Sequence, residues 1–344
     1  MVVAYICYAS RLAKMHRVEQ RVEDVVVSMT DSADMQLFAT SQQIREQLTQ
    51  GGLKLENELI DSVDAVQISQ YVARNGFVSG ADVYATYSGK LYINVRQHKP
   101  TVRLLCGGLN SYATPEGNIF LSPEGSAYYT SVVTGCYKVP FALNYEGEVS
   151  DSRTAVIAKV DDKQKELAVK FAELRRERRE LVSEKSRLRK DRGRKFWENK
   201  ESYQQRRVGV EADIERCNEQ IRAIASQRAD LEKQQGRVEA SKKKLQKRYD
   251  DFANLINFVT QISDDSFWGA EVVQFVADTT LLGDISLRLV PRSGNFIIEF
   301  GTLENSQEKL DKLRFFYDKG LSRLGWERFR KIDVRYDKQV ICAE

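Results

Sequence analysis

Ile285-Ser-Leu-Arg-Leu-Val290, Pro291-Arg-Ser-Gly294 and Asn295-Phe-Ile-Ile-Glu-Phe300 make up the stretch whose reading decides the fold. The first segment alternates apolar and polar residues at period 2, which predicts a half-buried strand. Pro and Gly in the second predict a turn, and the third predicts the returning strand. Farther on, Leu310, Leu313, Phe316, Tyr317 and Leu321 recur at helical spacing, which predicts a helix over 306–324 with one apolar face. Gly325 stands just past that helix, where a positive φ is often needed. From Arg330 to Cys342 the alternation returns, with Ile332, Val334 and Tyr336 on one face, and predicts one final strand. If the last strand of such a β-β-α-β unit lies at a sheet edge, its free N–H and C=O groups can take up a strand from another chain.

Upstream of this unit the composition changes. Between about 160 and 249 there is no Pro, and Lys, Arg, Glu and Gln dominate. Leu167, Phe171, Leu174, Leu181 and Leu188 keep 3-4 spacing, with Arg178 and Lys185 at the intervening seam positions. A second series, Val210, Ile214, Cys217, Ile221, Ile224, Leu231, Val238 and Leu245, is interrupted by Arg228, Gln235 and Lys242. This is coiled-coil spacing. Gly193 and the irregular stretch to Gly209 separate the two series, which predicts an antiparallel helical hairpin about 45 Å long. Between the arms lies the basic run Arg187-Leu-Arg-Lys-Asp-Arg-Gly-Arg-Lys195, followed by Phe196 and Trp197. Those residue types can bind phosphates and stack on bases. Glu and Asp interspersed along both arms favour instead a solvated tip with the aromatics packed between the arms, and docking of a second protein is a third reading. Beyond the arm, Phe252-Ala-Asn-Leu-Ile-Asn-Phe-Val259 predicts a more apolar continuation of helix.

The first hundred residues read as a separate module. Val22-Glu-Asp-Val-Val-Val27 is rich in β-branched residues and predicts a strand. Thr40 or Ser41 can cap a helix over 42–49, in which Ile44 and Leu48 are four apart. A second helix is predicted over 61–74 from Val63, Val66, Ile68, Tyr71 and Val72. Ala81 to Tyr87, a Ser88-Gly89 turn and Leu91 to Gln97 predict a hairpin.

Composition sets the outer limits. A chain of 344 residues, 42% hydrophobic and 30% charged, suffices for two or three packed domains. A net charge of +4 gives no global case for nucleic acid. The five Cys form no C-x-x-C pair, so no zinc site is indicated, and a Cys106–Cys136 bridge stays open. Catalytic signatures are missing: His16 and His98 are the two histidines, His98 reading as a solvent-facing residue at a strand end, and no phosphate loop, dinucleotide fingerprint, zincin motif or nucleophile elbow occurs. Asp161-Asp162 and Asp264-Asp265 sit at helix boundaries, where capping accounts for them. No enzyme and no cofactor is expected. Val2 to Ala9 is an apolar run of eight residues, short of the roughly twenty that span a bilayer.

The order Phe267-Trp268, Val290-Pro291-Arg292, Gly301, Lys309-Leu-Asp-Lys-Leu313, Gly320-Leu321, Gly325-Trp326, Ile332-Asp333 and Arg335-Tyr336-Asp337 resembles the C-terminal β-domain of the FtsQ/DivIB cell-division family, most of all its Bacteroidetes branch. The strand-helix-helix-strand-strand module is similar to that family's POTRA domain. Gly89 to Pro100 and Val132-Val-Thr-Gly135 are similar to its pattern, and Tyr112 to Gly117 stands where the family has a hairpin, with Thr114 and Pro115 in place of its apolar and Asp positions.

The resemblance implies an α+β chain: the end of an N-terminal membrane anchor (1–17), a POTRA domain of β-α-α-β-β order (18–100), and a β-domain in two parts (101–157 and 251–344). An antiparallel α-helical coiled-coil hairpin (158–250), read from spacing alone, interrupts that β-domain. Further implications are a single-pass inner-membrane protein with its bulk in the periplasm at the septum, and a non-catalytic scaffold among divisome members. Its partners would be FtsB-like and FtsL-like proteins, received at Val334, Arg335, Tyr336, Asp337 and Lys338, with neither nucleic acid nor small-molecule substrate. POTRA-based polypeptide transport or outer-membrane assembly, and nucleic-acid binding by the arm, are the alternatives.

Overall fold

The computed structural model describes residues 5–6, 20–30, 40–53, 55–122 and 128–344. They divide into two compact units, Met1–Ser150 with Asp251–Glu344, and Asp151–Asp250. Apart from Tyr5 and Ile6, the anchor expected at 1–17 lies outside the described residues, together with Cys7 and His16. No described helix is long and apolar enough to cross a membrane.

The first unit opens with β1 (Asp24–Met29), α1 (Ser41–Gln50), α2 (Ala65–Val72), β2 (Val78–Ala85) and β3 (Lys90–Gln97), the order expected of a POTRA module. β3 is central, paired in parallel with β1 and antiparallel with β2. Alternation turns Val25, Val27, Leu91, Ile93 and Val95 toward the helices, where Ile44, Leu48, Ile68 and Val72 complete a dry core. The side chains of Thr40 and Gln43 form a reciprocal cap at the start of α1. α2 begins later than its apolar spacing predicts. The Asp64 carboxylate accepts the N–H groups of Val66 and Gln67, each at 3.0 Å, and fixes the helix start there. Val66, expected on the buried face, is exposed, and Ile68 and Val72 make the buried one.

A ten-stranded sheet follows. β4 (Val102–Cys106), β5 (Ser111–Ala113), β6 (Asn118–Leu121), β7 (Ser131–Gly135) and β8 (Gly147–Glu148) precede two long helices, α3 (Val149–Lys190) and α4 (Lys200–Asp264). β9 (Val272–Thr279), β10 (Ile285–Pro291), β11 (Ile297–Gly301), α5 (Ser306–Phe316), β12 (Lys331–Asp333) and β13 (Ile341–Ala343) come after them. The strand order is β13-β12-β11-β10-β9-β7-β4-β5-β6-β8. β7 and β9 pair in parallel, Val133 opposite Phe275, so the strands before the insertion join those after it in one sheet. The apolar end of α4 covers the sheet: the Phe258 ring is 4.9 Å from Phe300 and 6.3 Å from Phe275, and Leu255, Ile256, Val259 and Ile262 are buried beside it. Tyr317 gathers Phe267, Trp268, Phe296 and Trp326 around its ring at 5.4–6.3 Å. Its hydroxyl donates to the buried Glu271 carboxylate at 3.1 Å. The helix predicted over 306–324 is one run with a π-helical turn at Tyr317–Leu321, and it stops at Gly325 with φ 93°.

One expectation changes within this unit. His98 does not face solvent: it is half-buried, with Nε2 3.1 Å from the Asn118 amide and its ring stacked on Phe120, because the end of β3 runs against β6. Burial lowers its pKa. Cys106 and Cys136 are free thiols. Cys106 is buried opposite Gly135, its thiol pushed up to about 11 by desolvation, whereas Cys136 is exposed.

The second unit is the arm. Ser152 meets Tyr249 at 2.9 Å, Arg153 meets Asp250 at 2.8 Å, and Arg192 meets Glu211 at 2.9 Å, while Lys242 pairs with Asp161. From Ser152–Tyr249 through Asp161–Lys242 to Arg192–Glu211 the numbers rise on one side as they fall on the other, so the helices are antiparallel as the two heptad series predict. Leu167, Val210, Cys217, Ile224 and Val238 are buried in the seam. Polar seam residues are accommodated: Lys242 finds its ion pair, and the Arg228 guanidinium lies 4.8 Å over the Phe171 ring. α3 has 42 residues and spans about 63 Å. The expected 45 Å falls short because the helix starts at Val149, directly after β8. Phe196 and Trp197 do not pack between the arms as expected; they are 99% and 81% exposed.

Candidate partner-binding edge

The C-terminal edge of the large sheet is built from β11, β12 and β13. β12 lies parallel to β11, Ile298 opposite Ile332, and β13 lies antiparallel to β12, Ile332 opposite Cys342. Opposed residues share a face, so Ile298, Ile332 and Cys342 turn inward while Glu299, Asp333 and Ile341 turn outward. The N–H of Val334 donates to the carbonyl of Glu299 at 3.1 Å, and that of Ile297 to the carbonyl of Arg330 at 3.0 Å. The carbonyl of Arg330 and the N–H of Val334 thus point at β11, while the N–H of Arg330 donates to the carbonyl of Ala343 at 2.9 Å; Lys331 and Asp333 lie opposite Ala343 and Ile341. Between those two, Cys342 directs its N–H and C=O away from β12. No described strand pairs with β13 on that side.

The single strand predicted over 330–342 is two strands with a turn between them. Asp333 causes the break. Its carboxylate accepts from Arg335 four times, from the main-chain N–H at 3.1 Å, from Nε at 2.9 and 3.1 Å, and from Nη2 at 2.6 Å. Lys312 Nζ donates to the carbonyl of Val334 at 3.0 Å and also to that of Tyr336, and Lys338 takes a left-handed φ of 55° that reverses the chain. Of the five residues expected to bind a partner, Val334 is therefore buried and Arg335 is folded back on Asp333. Tyr336 is 46% exposed, and Asp337 and Lys338 are exposed at the turn. The strand that lies at the open edge is β13, seven residues beyond Val334 at its start; Ile341 there is 44% exposed. The β-branched Val340-Ile341 pair following Lys338 was its sequence signal.

Gly301 completes the corner. Its φ is 76°, and a Cβ there would stand 2.8 Å from Arg335 Cγ, so only glycine lets Arg335 lie flat across the end of β11. Burial alone would raise the Asp333 pKa, but the hydrogen bonds from Arg335 outweigh it and hold the carboxyl below its ordinary 3.8. A carboxyl so depressed stabilises the folded state fully above its unfolded pKa, and that contribution is lost as pH falls through the folded value. Asp333→Asn is accordingly expected to lower the urea midpoint at neutral pH. The gap to the parent protein should close as the solution is acidified below the ordinary carboxylate range. A gap that stays constant with pH would mean that the carboxylate charge plays no part.

Residues 226–343 match the family described as FtsQ/DivIB, C-terminal related, and residues 20–96 match the POTRA-like domain. The first match begins inside α4, upstream of the expected limit near 250, and the second ends at the close of β3. No curated protein matches the chain. A POTRA-like domain at the start, followed by the C-terminal region that carries the β-edge, shows that the chain belongs to the FtsQ/DivIB family of division-site scaffold proteins, whose partners are other proteins of the division machinery.

Proposed function

We propose that this chain is a non-catalytic divisome scaffold that receives an FtsB-like or FtsL-like protein by strand addition along β13. In this reading the chain is held in the inner membrane by a single N-terminal helix, with its folded part in the periplasm. The reading is supported by the place of β13 at the end of a ten-stranded sheet with no described strand on its far side, where the alternation of its register with β12 turns the N–H and C=O of Cys342 outward. A strand laid beside β13 gains main-chain hydrogen bonds from that residue, while neighbouring side chains supply selectivity. Ile341 offers apolar surface on the outer face, and Tyr336, Asp337 and Lys338 in the adjoining turn supply an aromatic and two opposite charges. Arg335 belongs to the same site as the strut that shapes the turn, and Val334 as the buried post beneath it.

The test is a titration of the full chain with the C-terminal segment of an FtsB-like protein from the same cell. Proline at Cys342 deletes the one outward N–H while leaving the bonds to β12, a placement that edge strands tolerate. Cys342→Pro is expected to weaken binding about tenfold, the loss of one interfacial hydrogen bond and its neighbours. Cys342→Ala should bind as the parent does. Equal affinity of the Pro variant, with unchanged circular dichroism, would rule out docking through this edge.

A further inference from the structure

The loop joining α3 to α4 is held in one shape by a single arginine. Arg206 Nε donates to Glu198 Oε1 at 2.7 Å, and Nη2 donates to Glu198 Oε2 at 2.8 Å and to the carbonyl of Gly193 at 2.9 Å. Its Nη1 donates to the carbonyl of Asp191. Glu198 also accepts the N–H of Lys195 at 3.1 Å, and the Glu198 carbonyl accepts from Arg194 at 2.9 and 3.2 Å. Asn199 then starts α4 by accepting the N–H of Ser202 at 2.8 Å. Inside this bracing, Phe196 and Trp197 are 99% and 81% exposed. Two adjacent large aromatics turned to water on a braced loop serve no packing purpose within the arm, and surface of that kind marks an interaction site.

The surrounding charge narrows the partner. Residues 187–200 hold seven Lys and Arg against two acids, a net charge of +5. Both acids, Asp191 and Glu198, are engaged within the loop by Arg206. Arg187, Arg189, Lys190 and Lys200 have no carboxylate partner among the described residues. Exposed aromatics in an exposed basic segment suit a fluid, planar, anionic surface: the rings enter the headgroup level and the cations meet phosphates. Such a surface asks for no shape complementarity. A folded protein would recognise the aromatics by enclosing them in a pocket of matched shape. Single-stranded nucleic acid needs a row of stacking platforms along a basic groove rather than one adjacent pair. We propose that the arm tip docks on an anionic lipid headgroup surface, with Phe196 and Trp197 inserted and Arg187, Arg189, Lys190 and Lys200 holding the phosphates.

Trp197 itself reports the event, because Trp268 is buried and Trp326 partly so. The full chain is mixed with phosphatidylglycerol-containing vesicles and, separately, with phosphatidylcholine vesicles. Anionic vesicles should shift tryptophan emission to the blue, neutral vesicles should not, and high salt should reverse the shift. Trp197→Phe should abolish the shift. The double variant Phe196→Ser with Trp197→Ser removes no internal packing and should sediment with anionic vesicles about tenfold more weakly than the parent. Any membrane affinity of the N-terminal residues is common to both proteins and cancels in that ratio. Equal sedimentation of parent and double variant overturns the proposal, as does a shift that persists in Trp197→Phe or on neutral vesicles. A shift produced by polyglutamate or by an oligonucleotide, but not by vesicles, overturns it in favour of a different partner.

Discussion

Gly135→Ala is expected to destabilise the sheet-containing unit by roughly 2–6 kcal/mol. Gly135 ends β7 at φ 107°, and a Cβ there would lie 2.3 Å from the carbonyl oxygen of Ala277 and 3.0 Å from its carbon. Those atoms belong to β9, and the same carbonyl accepts the N–H of Tyr137 at 3.0 Å, so neither strand can give way without breaking that bond. The neighbouring N–H of Cys136 is tied to the Asp278 carboxylate at 3.0 Å. Strain at a positive φ costs about 1–3 kcal/mol, and forced overpacking adds about 1–3 kcal/mol. A total of roughly 2–6 kcal/mol is a large part of the roughly 5–15 kcal/mol that stabilises a domain. Chemical denaturation followed by near-ultraviolet dichroism is the measurement. An alanine variant whose midpoint matches the parent would show that β7 and β9 do not approach as described.

Val334→Pro is expected to disrupt the C-terminal part of the sheet. Val334 is fully buried, and its N–H is the last bond between β12 and β11, donated to the Glu299 carbonyl at 3.1 Å. Proline removes that donor, leaves the buried carbonyl without it, and sets a ring against the neighbouring strand, at a cost of about 3 kcal/mol or more. The comparison with Cys342→Pro is what gives the result meaning. The two prolines are one strand apart, yet the first strikes an inner bond and the second an outward one. Dichroism should separate them: loss of tertiary signal for Val334→Pro, retention for Cys342→Pro. If both variants fold alike, the hairpin β12–β13 is not arranged as described.

Much of this architecture was readable from residue order. Alternation between Ile285 and Phe300 sufficed for β10 and β11, because both strands have one dry face and one wet face. Heptad spacing sufficed for the arm for the same reason, a local periodicity set by burial. The final hairpin was not readable. Ile332, Val334 and Tyr336 continue the alternation straight through the turn, and what breaks the strand is a carboxylate two residues away closing on its own neighbour, Asp333 on Arg335. Period 2 encodes burial and is blind to such a contact. The position of Phe196 and Trp197 was misjudged for a related reason. Apolar character suggests burial, but the Arg206–Glu198 bracing shapes a loop that holds both rings out, and composition carries no sign of it. The start of α2 at Asp64 was in principle legible, since Asp is a strong cap, but the apolar spacing began earlier and prevailed.

The parallel pairing of β7 with β9 has a consequence for synthesis on the ribosome. β7 is complete at Gly135, whereas its partner starts at Val272, with the whole arm translated in between. At roughly 5–20 residues per second, the nascent chain holds half a sheet with a bare flank for on the order of ten seconds. The arm, meanwhile, folds through contacts close along its own helices, and the Ser152–Tyr249 bond at its base brings the ends of the insertion together. An arm that closes on itself in this way shortens the excursion between β7 and β9, and the waiting interval is when the bare flank of β7 is open to wrong partners.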